Sequence, residues 1–239
     1  MPNPEFAMVP RKESGPTKVM KRRTIACIGD IVASRRLKPE VRRRVQRTLT
    51  EKLKEENLVL GAALAADLTV TLGDEFEGVI GVAFAGDAIP DLIWRLEDAL
   101  AAVTMRFGVG LGSIDTEFSR DPRMMDGSAF HNARAAIEVA ASKRRLGGVF
   151  QGFGDAHDAV LNGLARVLYL QRSRWSPRQR QLVNLLRSGK RQNEAAEILG
   201  LTKQAVSASA RAAGWQAYLE GETAWRIALA TALSVTTRG

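Results

Sequence analysis

The stretch Leu68–Phe84, LTVTLGDEFEGVIGVAF, constrains the fold more than any other part of the chain. Leu68, Val70 and Leu72 alternate with Thr69 and Thr71, the period of a half-buried strand, and Val79, Ile80, Val82 and Phe84 resume an apolar pattern after Gly73–Glu75. Two strands joined this closely sit between two helical segments. Upstream, RTIACIGDIVAS reads as a buried strand ending near Asp30, and KPEVRRRVQRTLTEKLKEENLVL as an amphipathic helix with Val41, Val45, Leu49 and Leu53 on one face. Downstream, AIPDLIWRLEDALAAV reads as a helix with Pro90 in its first turn, TMRFGVGLGSIDT as a strand, and DGSAFHNARAAIEVAASKR as a third helix. The order β-α-β-β-α-β predicts a ferredoxin-like, split βαβ sheet extended by one helix. Gly108, Gly110 and Gly112 lack the G-x-G-x-x-G form of a dinucleotide loop and instead leave one strand face bare for close approach.

After Gly154 the pattern becomes helical throughout. Residues 155–175 read as a linking helix and 176–239 as an all-α domain, so the fold class is α+β, a palm-like sheet domain over 23–154 followed by helices. Ser176 and Pro177 start one helix, which stops near Gly189. In NEAAEILGLTKQAVSASAR two short helices are joined through Gly200, with Ala195 and Ala196 small at the crossing, Ile198, Leu199 and Val206 inward, and Thr202 as cap. This is the pattern of a helix-turn-helix, whose second helix enters the major groove of DNA. Lys203, Gln204, Ser207, Ser209 and Arg211 are expected to face outward, with Arg191 and Gln192 placed for the phosphate backbone. The four tryptophans are expected as core anchors.

The net charge of +9 is unevenly spread: residues 1–23 carry +4, 24–171 carry −2 and 172–239 carry +7. Segregated positive charge suits a nucleic-acid partner. Residues 1–22, which include a tag-like start, are expected to be a disordered basic arm. One cysteine, Cys27, excludes a disulfide framework, and no apolar run is long enough to span a membrane, so a cytoplasmic protein is expected.

Asp74 and Glu75 lie at the hairpin turn, and Asp30 ends the strand expected beside it. Two close carboxylates repel unless a cation neutralises them, and Mg²⁺ with phosphate oxygens is a common solution. Ser34, Arg35 and Arg36 just beyond Asp30 suit a polyphosphate. Asp126 with Gly127 either caps the third helix or contacts ligand. His131, on the same helix, reads as an ordinary packed or solvated residue.

IGDIVASRRL, TLGDEFEGVI, FGVGLGSIDT, MMDGSAFHNAR, Trp175 with Gln179, and the helix-turn-helix together resemble the SatD family of bacterial proteins, from about Thr24 onward. The first half is also similar to the palm of nucleotide cyclases and diguanylate cyclases. That resemblance implies a metal role for Asp30, Asp74 and the Ile31 carbonyl, with Glu75 as the second acid and Gly73 as the second glycine of the hairpin motif. It implies a transition-state role for Arg134 if the domain is a cyclase. The sequence departs from the pattern at Leu72, where a glycine is expected, and at Phe130, where an asparagine is expected. The expectation is a DNA-binding regulator, homodimeric on double-stranded DNA, whose cyclase-like domain binds a nucleotide with Mg²⁺. The alternatives are an active cyclase with a regulatory helix-turn-helix, and a DNA-binding protein with a purely structural dimerisation domain.

Overall fold

The computed structural model describes residues 23–71 and 73–235. The expected arm over 1–22 lies outside the described residues. The chain runs β1 (Arg23–Ile31), α1 (Pro39–Leu60), β2 (Leu64–Val70), β3 (Glu75–Ile80), α2 (Ala85–Ala99), β4 (Met105–Ser113), α3 (Ser128–Ser142), β5 (Val149–Gln151), α4 (Asp155–Ser173), α5 (Pro177–Arg187), α6 (Gln192–Leu199), α7 (Lys203–Ala212) and α8 (Trp215–Val235). The sheet order is β2-β3-β1-β4-β5. β1 is antiparallel to both β3 and β4, as in a split βαβ unit, and β4 and β5 are parallel. β5 was not expected: at three residues it is too short to show a period. α2 begins at Ala85, so Pro90 sits inside the helix rather than in its first turn.

Alternation in β1 separates two cores. Ile25, Cys27 and Ile31 pack with Leu49 and Leu53 of α1 and Leu92 and Ile93 of α2. Ala26 and Ile28 face the other way, onto Ala129, Phe130, Ala133 and Ile137 of α3. α3 approaches β4 closely because Gly108, Gly110 and Gly112 present no side chain. A Cβ on Gly110 would lie 2.2 Å from the Ala133 amide nitrogen, and one on Gly108 2.3 Å from the Ala133 carbonyl. Asn132 then donates its Nδ2 to the Leu111 carbonyl at 2.8 Å, locking helix to strand.

The first core does not stop at residue 154. It continues through Leu161 and Leu168 of α4 to Tyr218, Trp225, Leu229 and Leu233 of α8. The Trp225 ring centroid lies 5.5 Å from that of Trp94, tilted, and 5.6 Å from that of Phe150, edge to face. Trp94, Trp175 and Trp225 are buried as expected, and Trp215 is half-buried. Arg172, 1% exposed, lies over the rings of Trp94 and Trp175 and is neutralised by Asp98 at 2.8 Å. The sheet unit and the helices therefore share one core. α5, α6 and α7 also hold a small cluster of their own, of Leu182, Leu186, Ala195, Ala196, Val206 and Ala210. No helix among the described residues is long and apolar enough to cross a membrane.

Candidate functional site

The pairing register sets Asp30 directly opposite Glu75 on β3 and Arg106 on β4. All three face the α3 side of the sheet, since directly opposed residues share a face. Arg106 Nε donates to Asp30 Oδ1 at 2.8 Å, and its Nη2 bonds the other oxygen. One turn along the sheet face, Arg134 of α3 places Nη1 2.8 Å from Glu75 and Nη2 2.5 Å from Glu77 Oε1. Burial pushes the Glu77 carboxyl up, against the pull of Arg134, and repulsion from Glu75 adds to the rise. Burial works to lower the Arg134 guanidinium, but its bond to Glu75 and the surrounding carboxylates leave it raised.

This arrangement does not fit the Mg²⁺ site implied by the cyclase resemblance. The expected pair is Asp30 with Asp74; the register instead sets Asp30 opposite Glu75, and each of these two already faces a guanidinium. Asp74 is half-buried beside Gly73, which turns with φ 63°. No group of three or more His, Cys, Asp or Glu among the described residues has the arrangement to hold a metal ion. The side chain of Ile31 is core, 2% exposed. Ser34 is buried in a 3-10 turn, while Arg35 and Arg36 are exposed beside it. Phe130 is buried under α3, filling space where a polar side chain would need partners.

Asp126 does not join these groups. It precedes α3, whose first residues pack on Gly112, and Gly112 pairs with Thr24 at the far end of β1 from Asp30. There its Oδ1 accepts from the Gly127 amide at 2.7 Å and meets His131 Nε2 at 3.1 Å. It is a turn residue, not a ligand for the carboxylate corner.

The second candidate surface is built by α6 and α7. Gly200 ends α6 in the left-handed conformation, φ 63° and ψ 40°, and the Thr202 hydroxyl accepts from the Ala205 amide at 3.2 Å to start α7. Ala195, Ala196, Val206 and Ala210 make the crossing. Ile198 is 58% exposed, contrary to its expected inward position, whereas Ala195 and Ala196 of the same helix are buried. Lys203, Gln204 and Arg211 are exposed, and Ser207 is half-buried. Gln192, Ser207 and Arg211 line one shallow groove of about 380 Å³. Arg191 caps α6 and meets Glu194 Oε2 at 3.2 Å.

A third feature lies away from both of these. A cleft of about 530 Å³ between α2, α4 and α5 is lined by Glu97, Tyr169, Arg172, Trp175, Arg180 and Asn184. Glu97 is 9% exposed, its Oε1 has no hydrogen-bond partner, and burial pushes its carboxyl up to about 8. Glu97 lies three residues after Trp94 and four after Ile93, on the apolar face of α2. That spacing is the signal that marks it.

Solved structures with some likeness include a bacterial light-regulated adenylyl cyclase, 15% identical with a TM-score of 0.41, covering 54% of this chain and 75% of that one. A second structure with the same description is 14% identical with a TM-score of 0.38, covering 54% of this chain and 42% of that one. No curated protein matches the chain. The family model that does match is the SatD family, over residues 24–227, and the chain belongs to that family.

Proposed function

We propose that the protein is a DNA-binding regulator that reads duplex DNA with α6 and α7 as a helix-turn-helix, acting as a homodimer. The observation that carries this reading is the short turn through Gly200 and the Thr202 cap, which leaves Lys203, Gln204 and Arg211 exposed along one helix of ten residues. Lys and Gln side chains make bidentate contacts with guanine and adenine edges, and Arg211, Gln192 and Arg191 suit phosphates. Two copies on a two-fold operator would present their reading helices about 34 Å apart. Selection of bound duplexes from a random library tests this. Lys203→Ala with Gln204→Ala should relax the selected sequence, whereas Arg191→Ala with Arg211→Ala should weaken all sequences alike. No enrichment of any sequence would sink the reading.

A nucleotide effector at the Asp30–Asp74 end is the second reading. It is favoured by exposed Arg35 and Arg36, which follow Asp30 in the chain just past the end of β1. Turnover as a cyclase has less support, because Arg134 is engaged by Glu75 and Glu77 of its own chain. A thermal-shift series with ATP, GTP and cyclic dinucleotides separates these ideas. A bound nucleotide at a hundred times its dissociation constant stabilises by about 2.7 kcal/mol, with or without added Mg²⁺ if the guanidiniums do the binding.

A further inference from the structure

Residues 34–47 carry six arginines and one lysine against a single acid, Glu40, a net +6 in a chain of net +9. Several described arginines elsewhere are engaged by carboxylates: Arg95 by Glu56, Arg106 by Asp30, Arg134 by Glu75 and Glu77, Arg187 and Arg226 by Glu222. In 34–47 no cation is ion-paired among the described residues, and Arg35, Arg36, Arg43, Arg44 and Arg47 are exposed. Arg42 serves differently. Its Nε donates to the Ser34 carbonyl at 3.1 Å and its Nη2 to the Arg35 carbonyl at 2.6 Å, tying the loop to the first turns of α1. Loop and helix face thus form one fixed block of charge.

The block works against its own helix. Lys38 and Arg42 stand at the end of α1 whose dipole disfavours cations. Lys38 with Arg42, and Arg43 with Arg47, are like charges four residues apart. A polyanion relieves both penalties. The partner must also be extended: Lys38 to Arg47 rises about 14 Å along the helix, a length over which B-DNA presents about eight phosphate charges.

A chain of contacts leads from the block toward α7. The Val32 amide donates to the Thr104 carbonyl at 2.8 Å, and Thr104 lines the same cleft as Pro177 and Gln181 of α5. Arg178, next to Pro177 in α5, reaches the Leu199 carbonyl at 3.5 Å, at the turn that leads into α7. We infer that the 34–47 block is a second, sequence-independent surface for duplex DNA phosphates, flanking the footprint of α7. This inference rests on the DNA-binding reading for its choice of polyanion.

The test is fluorescence anisotropy on a mixed-sequence duplex of about three helical turns, over a potassium chloride series. The proteins compared are the full chain, Arg43→Ala with Arg44→Ala and Arg47→Ala, and Lys203→Ala with Arg211→Ala. The triple variant should bind with a shallower salt slope, by about 0.9 for each phosphate it no longer neutralises, with unchanged circular dichroism. An unchanged slope in the triple variant, with a changed one in the α7 variant, overturns this inference and leaves the DNA reading standing. A changed slope in the triple variant alone upholds the basic surface and removes α7 from the reading. Binding to vesicles of anionic phospholipid with none to duplex overturns the inference, as does displacement of the duplex by stoichiometric ATP.

Discussion

Glu97 holds its carboxyl under α2 with Oε1 unbonded, facing the arginines of α4 and α5 across a cleft. Its folded-state value of about 8 stands above the ordinary 4.5 of an exposed glutamate, because burial penalises the charge more than Arg172 and Arg180 relieve it. Between those two values the native state holds a proton that the unfolded chain has lost. Stability is therefore full below about pH 4.5 and declines as pH rises toward 8. Glu97→Gln should flatten the fall in melting temperature across that window, a change on the order of a few kcal/mol at its upper end. An unaltered pH profile in the variant would mean that the carboxyl has a partner. Cys27 is equally enclosed, and burial pushes its thiol up to about 12. A maleimide should label it only after unfolding.

At the scale of elements, the α3–β4 contact and the α6–α7 turn make opposite demands. The first depends on the absence of side chains. Gly110→Ala puts a methyl group against α3 backbone and should cost about 3 kcal/mol, read from denaturant unfolding. The second depends on local bonds at its turn, where Thr202→Ala should cost about 1 kcal/mol while leaving the sheet intact. These two elements were also the most legible in the sequence. Alternating glycines on a strand, and a glycine followed by a threonine cap, are local patterns with local causes. The carboxylate corner was only half legible. Strand order brings Asp30 to Glu75, but nothing in the spacing shows that Arg106 lies across from Asp30, or that Arg134 reaches back over the sheet. Those contacts are set by cross-strand register and helix placement, as is the separation of Asp126 from the corner.

For the molecule as a whole, the decisive fact is that α8 returns to the core of the sheet unit. The helices after Gly154 read in sequence as an appended domain because each carries its own caps and stops. What the helical pattern does not show is which neighbour its apolar face meets, and Trp225 meets Trp94 and Phe150. Trp225→Ala should cost about 3–5 kcal/mol, measured on the full chain. A fragment ending at Ser173 should lose its near-ultraviolet circular dichroism, since Trp94 would lie open to water; a folded fragment would show that the sheet unit stands alone. α6 and α7 thus lie in the chain between two elements of one core. That has a consequence for birth on the ribosome. Vectorial synthesis at about 5–20 residues per second delivers the sheet, α6 and α7 before α8. Until it does, the nascent polypeptide carries an open hydrophobic seam. α6 and α7 are thus held in their final position only once α8 has closed that seam.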